Sequence, residues 1–412
     1  MTEIPPPTAP APPTPEDVLG MLAGVMDPEL HASIVDLGMV EDVRVGDDGL
    51  VTVKVALTTA GCPLRHQIKT DVQSKVDGLP GVTKVTVEYG EMTAEQKAKA
   101  MDRARFNARE NADTTEVAPT TRVIAVASGK GGVGKSSVTV NLAAALAARG
   151  LTVGILDADI WGFSVPRMLG AEGRLSGTEG KIHPNEVVVA RTAPGVEAGP
   201  DGLVKVVSMG FLVDDETSAL MWRGLILAKA VEQFLKDVRW GDLDYLLVDM
   251  PPGTGDIQMG LARMLPQAEM LVVTTPALAA QKVAARVADM ARRSYMKVIG
   301  VVENMSEFVT PSGERFALFG EGGGATLADE IGAPLVARIP LEPEVSRGGD
   351  AGRPVALSDP ESPAGSAFHA LATRVVEDLL PPVEMSGCTA RILELAMANL
   401  AASTGPSTPS NR

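Results

Sequence analysis

Nine residues, Ser128-Gly-Lys-Gly-Gly-Val-Gly-Lys-Ser136, constrain this chain more than any other stretch. Before them lies RVIAVA (122–127), a short β-branched apolar run of the kind that forms a buried parallel strand. After them, Val138, Leu142, Ala145 and Leu146 recur at helical spacing, and Gly150 offers a stop. A glycine-rich turn between a buried strand and a helix is the context a phosphate-binding loop requires. Gly129, Gly131, Gly132 and Gly134, with Val133 among them, let backbone N–H groups curl around phosphate oxygens. The helix start adds partial positive charge. Lys135 is placed to reach the β- and γ-phosphates and Ser136 to ligate Mg²⁺, with Ser137 completing the nucleotide-binding set. The expected ligand is a nucleoside triphosphate.

The rest of the chain arranges itself around that loop. From Thr121 onward, apolar runs near 122–127, 152–157, 204–209, 244–249, 270–275, 297–302 and 335–339 alternate with helical patterns. Such alternation predicts βαβ units and a doubly wound, mostly parallel α/β sheet over residues 120–382. Ahead of it, residues 15–91 read as a small α+β unit. A helix starts at Thr14-Pro15-Glu16-Asp17, and alternating segments follow at 40–45, 51–57 and 82–87. Residues 92–119 are charged, alanine-rich and short of large apolar groups, and read as a solvated helical linker. Residues 1–14 form a proline-dense tail and 383–412 a second tail, with one amphipathic piece at Arg391–Leu400.

Composition narrows the classes of function. With a net charge of −15, bulk electrostatics disfavour nucleic acid as a partner. Two cysteines, Cys62 and Cys388, exclude a disulfide framework and suit a reducing cytoplasm. The opening residues carry neither the basic nor the apolar region of a secretory signal. No apolar run reaches membrane-spanning length, and only one basic residue flanks the 391–400 piece, so no membrane partner is expected.

If the loop follows a central strand, other site groups should leave the carboxyl ends of neighbouring strands. The 152–157 run ends in Asp157-Ala-Asp159, and the 244–249 run ends in Asp249, followed by Pro251-Pro-Gly-Thr-Gly-Asp256. A carboxylate closing a buried strand is costly unless a cation or donors satisfy it. Asp249 is therefore assigned to the metal side and Asp157 to the Mg²⁺ sphere, while Asp159 orients or deprotonates the attacking water. Gly253 offers a backbone N–H to the γ-phosphate, a contact that lasts only as long as that phosphate and makes the loop a switch. Taken singly, each aspartate also suits a helix cap or a turn.

Lys130 is not needed by an ordinary phosphate loop. Gly-Lys-Gly-Gly-Val-Gly-Lys-Ser (129–136) resembles the deviant loop of the MinD, ParA and nitrogenase-iron-protein class. That resemblance implies a homodimer in which Lys130 reaches the partner's phosphates, so that ATP hydrolysis is slow in the monomer. The runs Asp249-Met-Pro-Pro-Gly-Thr-Gly-Asp256, Val301-Val-Glu-Asn-Met-Ser306 and Phe319-Gly-Glu-Gly-Gly-Gly324 narrow the likeness. Together they resemble the Mrp/ApbC family of iron–sulfur cluster carrier ATPases. Asp27-Pro-Glu29, Asp36-Leu-Gly38 and Thr58-Thr-Ala-Gly-Cys-Pro63 resemble the iron–sulfur-assembly domain that often precedes that ATPase. The resemblance implies that Asn304 contacts the adenine edge, and that the partners are apo iron–sulfur proteins or scaffold proteins. Asn304 also suits a turn after a strand.

One departure bears on the cargo. Many family members carry a Cys-x-x-Cys pair between the segments matching Asn304-Met-Ser306 and Phe319-Gly320, and residues 307–315 here hold no cysteine. Thr310 and Ser312 are no substitute for thiolates toward iron. Cys62, ahead of Pro63 at a loop-to-helix junction, is the remaining candidate ligand, and equally suits a small buried apolar position. His31, His66, His183 and His369 have no metal-ligand spacing. Two readings follow: a dimeric ATPase carrying iron–sulfur clusters, or a nucleotide-switched scaffold ATPase without a cluster.

Overall fold

A computed structural model describes residues 11–27, 32–57, 65–110, 114–159, 162–171, 173–178, 180–212, 224–253, 255–294, 296–310 and 312–383. Cys62, Cys388, His31, the Thr58–Pro63 run, the first ten residues and the 391–400 piece lie outside the described residues.

The first unit begins at α1 (Pro15–Leu22). Thr14 Oγ1 accepts from the Asp17 N–H, and Asp17 Oδ2 accepts from the Thr14 N–H, so both ends of the first turn are satisfied. β1 (Val40–Val45), β2 (Leu50–Leu57), α2 (Arg65–Val76) and β3 (Lys84–Glu91) follow. The sheet order is β1-β2-β3, antiparallel then parallel. Val51, Val53 and Val55 alternate inward and meet Ile68, Val72 and Val76 of α2, each four residues apart.

α3 (Ala94–Glu110) corrects the reading of 92–119 as a solvated linker. Ala100 and Ala104, one turn apart, are buried in the core of this unit with Met92, and Met101 packs against them. Gln96 Nε2 also donates to Glu41 Oε1 at 3.2 Å. Alanine contributes little apolar area, so the stripe reads as weak in the sequence although both side chains are buried. By Glu116 the chain has reached the larger unit: its N–H donates to Leu235 O at 2.8 Å, and Val117 is buried there.

The larger unit is built from β4 (Arg122–Ala127), α4 (Lys135–Ala147), β5 (Thr152–Asp157), α5 (Val165–Leu169), β6 (Ser176–Thr178), β7 (Lys181–His183), β8 (Asn185–Val189) and β9 (Gly202–Ser208). α6 (Gly224–Asp237), β10 (Tyr245–Asp249), α7 (Asp256–Met264), β11 (Glu269–Thr274), α8 (Leu278–Arg293) and β12 (Lys297–Asn304) come next. β13 (Phe308–Val309), β14 (Arg315–Phe316), α9 (Gly323–Ile331), β15 (Leu335–Ile339), α10 (Pro343–Asp350), α11 (Val355–Ser358) and α12 (Pro363–Arg374) complete it.

The main sheet runs β15-β12-β11-β4-β10-β5-β9-β8, parallel throughout except for β8, which is antiparallel to β9. Successive residues of β4 feed opposite cores. Ile124 and Val126 join the face carrying α4 and α12, while Val123, Ala125 and Ala127 join the face carrying α7 and α8. Burial on both faces explains why the run has no polar alternation. β8 and the β6–β7 and β13–β14 hairpins do not stand out in the sequence because they are short and largely solvent-facing. Among the described residues, no helix is long and apolar enough to cross a membrane.

β4 lies inside the sheet, with β10 on one side and β11 on the other. The chain moves from β10 to β11 across it, so the carboxyl end of β4 lies at the crevice where the winding reverses.

Candidate functional site

The loop leaves β4 along the side of α8. A Cβ on Gly129 would lie 2.3 Å from the Val283 carbonyl carbon, so any larger residue would push the loop off the helix. Gly134, at φ +81, precedes α4 in the left-handed region open to glycine. Gly131 and Gly132 are exposed, Val133 is buried, and Ser136 and Ser137 sit half-buried on the first turn of α4. Asn304, at the end of β12, meets the loop from beneath, and its Nδ2 donates to Val133 O at 2.8 Å. The amide nitrogen that the resemblance assigns to adenine is thus a tether for the phosphate loop.

The strand ends bring the carboxylates together. Asp249 of β10 pairs in register with Asp157 of β5 on one side and Val126 of β4 on the other. Asp249 is fully buried. Lys135 Nζ lies 2.7 Å from its Oδ1, Ser136 Oγ donates to its Oδ2 at 2.6 Å, and Thr139 Oγ1 lies 2.9 Å from Oδ1. Asp157 accepts from Ser208 Oγ at 3.0 Å and from the Asp159 N–H at 3.2 Å. Burial, reinforced by the charge of Asp249, pushes the Asp157 carboxyl well above the ordinary carboxylate range, against the opposing pull of Lys135. Asp159, 3.5 Å from Lys135 Nζ, is also raised, chiefly by burial.

These residues open into a cavity of about 390 Å³ lined by Ser128, Lys135, Ser136, Asp159, Arg167 and Pro252 among others. Lys130 stands exposed at its rim, and its backbone oxygen accepts from Ser128 Oγ at 3.2 Å. Gly253 faces the loop from the other side, and its N–H donates to Ser128 O at 2.9 Å.

The residues fit a hard divalent cation. Asp157 is raised chiefly by burial and next by the charge of Asp249, and further positive charge beside Ser136 and Asp249 would offset both. Among the described residues, no three His, Cys, Asp or Glu side chains converge as a self-sufficient metal site. Mg²⁺ keeps phosphate and water oxygens as most of its ligands and needs only one or two groups from the protein.

Three site residues escape sequence reasoning. Thr139 lies one helical turn beyond Lys135, a spacing that places both on one face and offers a usable signal. Ser208 ends β9 as Asp157 ends β5, and Gln258 follows the switch loop on α7; neither carries a local motif. In the stretch without cysteines, β13 and β14 form a small hairpin in which Thr310 Oγ1 and Ser312 Oγ lie 2.8 Å apart. His183 is bonded to Thr178 and His369 to Ala356 O, and among the described residues neither belongs to a cluster of three metal-capable side chains.

Comparison with known proteins gives the family of the chain. Residues 119–376 match the model of the NUBPL iron-transfer P-loop NTPases, and residues 15–88 match that of an iron–sulfur cluster assembly protein. An iron–sulfur cluster carrier protein of Mycobacterium tuberculosis is 45% identical over 358 residues, spanning 85% of this chain and 90% of its own. Its counterpart from Synechocystis is 41% identical over 366 residues, spanning 88% and 97%. A nucleotide-binding protein of Archaeoglobus fulgidus, solved in complex with ADP, is 36% identical over 60% of this chain and 91% of its own, with a TM-score of 0.48. Matched in this way from its first strands to its last helices, the chain belongs to the family of iron-transfer P-loop NTPases.

Proposed function

We propose that this protein is an iron–sulfur cluster carrier that binds and hydrolyses ATP as a homodimer and passes the cluster to apo iron–sulfur proteins or scaffold proteins in the cytoplasm. The observation that carries the reading is the convergence of Lys135 and Ser136 on Asp249, beside Asp157 and Asp159, at the reversal point of the sheet. On binding, Lys135 exchanges the Asp249 carboxylate for phosphate oxygens. Ser136, Asp249 and Asp157 hold the metal side. Mg²⁺, when bound, neutralises the charge gathering on the phosphate oxygens.

A water oxygen attacks the γ-phosphorus, the bond to the ADP oxygen breaks, and the water's proton passes toward Asp159, whose raised pKa suits it as an acceptor. Lys130, exposed at the rim, supplies positive charge to the partner copy's phosphates. Asn304 acts from below the loop, and its side-chain oxygen reads the adenine edge. The cluster is cargo, and residues 307–315 offer it no thiolate, so Cys62 of the small unit is the proposed ligand.

Anaerobic reconstitution with iron and sulfide, followed by metal quantitation and visible absorption, tests the carrier role. Stoichiometric cluster in the native protein, lost in Cys62→Ala and transferable to an apoprotein, is the expected result. A protein that hydrolyses ATP yet takes up no cluster would overturn it.

A further inference from the structure

Gln258 is the residue the mechanism leaves unused. It lies on the first turn of α7, directly after the switch loop, and its side chain is fully buried. Its Nε2 donates to the Gly253 carbonyl and lies 3.5 Å from Pro251 O. Its Oε1 is buried with no hydrogen-bond partner among the described residues. A buried amide with one end bonded and the other bare is uncommon, because an unmatched acceptor gives up its hydration for nothing.

The bonded end holds the residue that matters. Gly253 is clamped on both sides, its carbonyl by Gln258 and its N–H by Ser128 O at 2.9 Å. That N–H is the one assigned to the γ-phosphate, and it is available to phosphate only after leaving Ser128 O. Gly253 has φ +96, a region where glycine turns without steric penalty.

We propose that Gln258 is a positioning residue that couples the γ-phosphate to α7, and this rests on the reading of Gly253 given above. As the Gly253 N–H turns from Ser128 O to the terminal phosphate, Gln258 keeps its hold on the carbonyl. The same turn brings a backbone N–H of the loop to the bare Oε1. The triphosphate state then satisfies an acceptor that the present state leaves open. Gln258 therefore favours that state over the diphosphate one, which has no γ-phosphate to draw Gly253 away. No bond of ATP is touched by Gln258 itself.

The test compares native protein with Gln258→Met, which keeps the shape and removes the amide. The two readouts are titration with AMP-PNP and with ADP, and amide hydrogen exchange over residues 251–264. Loss of hydrogen bonding confined to one nucleotide state predicts AMP-PNP affinity lower by roughly tenfold with ADP affinity unchanged. The slowing of exchange that AMP-PNP brings to the native segment should also disappear. If both nucleotides weaken together, or neither does, the amide is only packing and the proposal is overturned. If the native protein itself shows no difference in exchange between AMP-PNP and ADP, the Gly253 switch fails first and this proposal with it. ADP affinity and melting temperature report folding. Should Gln258→Met fail to fold, Gln258→Asn gives the same reading, since it keeps an amide but retracts it by one methylene.

Discussion

Asn304 and Lys135 show how much of the site depends on single hydrogen-bonding atoms. Asn304 Nδ2 is bonded to the Val133 carbonyl, inside the phosphate loop and far in sequence from it. Asn304→Ala removes that tether, so ATP and ADP should each bind about tenfold more weakly, in line with the loss of one buried hydrogen bond. Titration with ATP, ADP and GTP checks this. A loss for the adenine nucleotides alone would mean that base reading outweighs the tether. Lys135→Ala acts twice, removing the phosphate contact and leaving Asp249 buried without its cation. ATP binding should vanish, and stability should fall by about 3 kcal/mol, the scale for breaking a buried pair. Unchanged turnover in that variant would remove the loop assignment. The glycines, Lys135 and the three strand-end aspartates were legible in the sequence because motif spacing and strand ends are local signals. Thr139, Ser208 and Gln258 were not, because they are ordinary residues made important by which strands lie side by side.

At the scale of elements, α3 and α12 each make a case that composition hides. α3 looks solvated, yet Ala100 and Ala104 are buried in the core of the small unit. Ala104→Glu places a carboxylate in that core, at a cost of several kcal/mol. The small unit should then melt earlier in calorimetry while ATP affinity stays native. On α12, His369 is buried with Nε2 2.8 Å from the Ala356 carbonyl of α11. Burial lowers its pKa, the bond to Ala356 opposes that shift in part, and the charge of Arg149 adds a smaller push downward. The unfolded chain takes up this proton near the ordinary value of 6.5, and the folded chain only at lower pH. Between those values the unfolded state binds more protons, so the site's stability is complete above 6.5 and falls as pH drops through that window. Native protein should therefore lose more melting temperature than His369→Gln when pH is lowered from about 7.5 to about 5.5. Equal losses would show that the imidazole is not responsible. The parallel sheet itself was legible because strands buried on both faces read as unbroken apolar runs. The antiparallel edge strand β8 was not, since it has only one neighbour and an exposed Val188.

For the whole molecule, the mechanism turns on Lys130 acting across the dimer. Each copy carries a net charge of −15, so two copies repel at long range and need local positive charge where they meet. Lys130 is exposed at the mouth of an anionic cleft whose own lysine, Lys135, is already engaged with Asp249 and Asp159. If it serves the opposite site, Lys130→Ala binds ATP but barely hydrolyses it, and Asp159→Asn does the same for a different reason. A mixture separates action within a copy from action between copies. In a mixed dimer, the Lys130→Ala copy keeps its own Asp159 and receives Lys130 from the Asp159→Asn copy, which restores one complete site. Random pairing at equal concentration makes half the dimers mixed, so turnover should recover to roughly a quarter of native. Phosphate release measured across a dilution series should show that recovery fading as dimers dissociate. Two inactive variants that stay inactive together would place Lys130 at its own copy's phosphates and remove the need for a partner in catalysis.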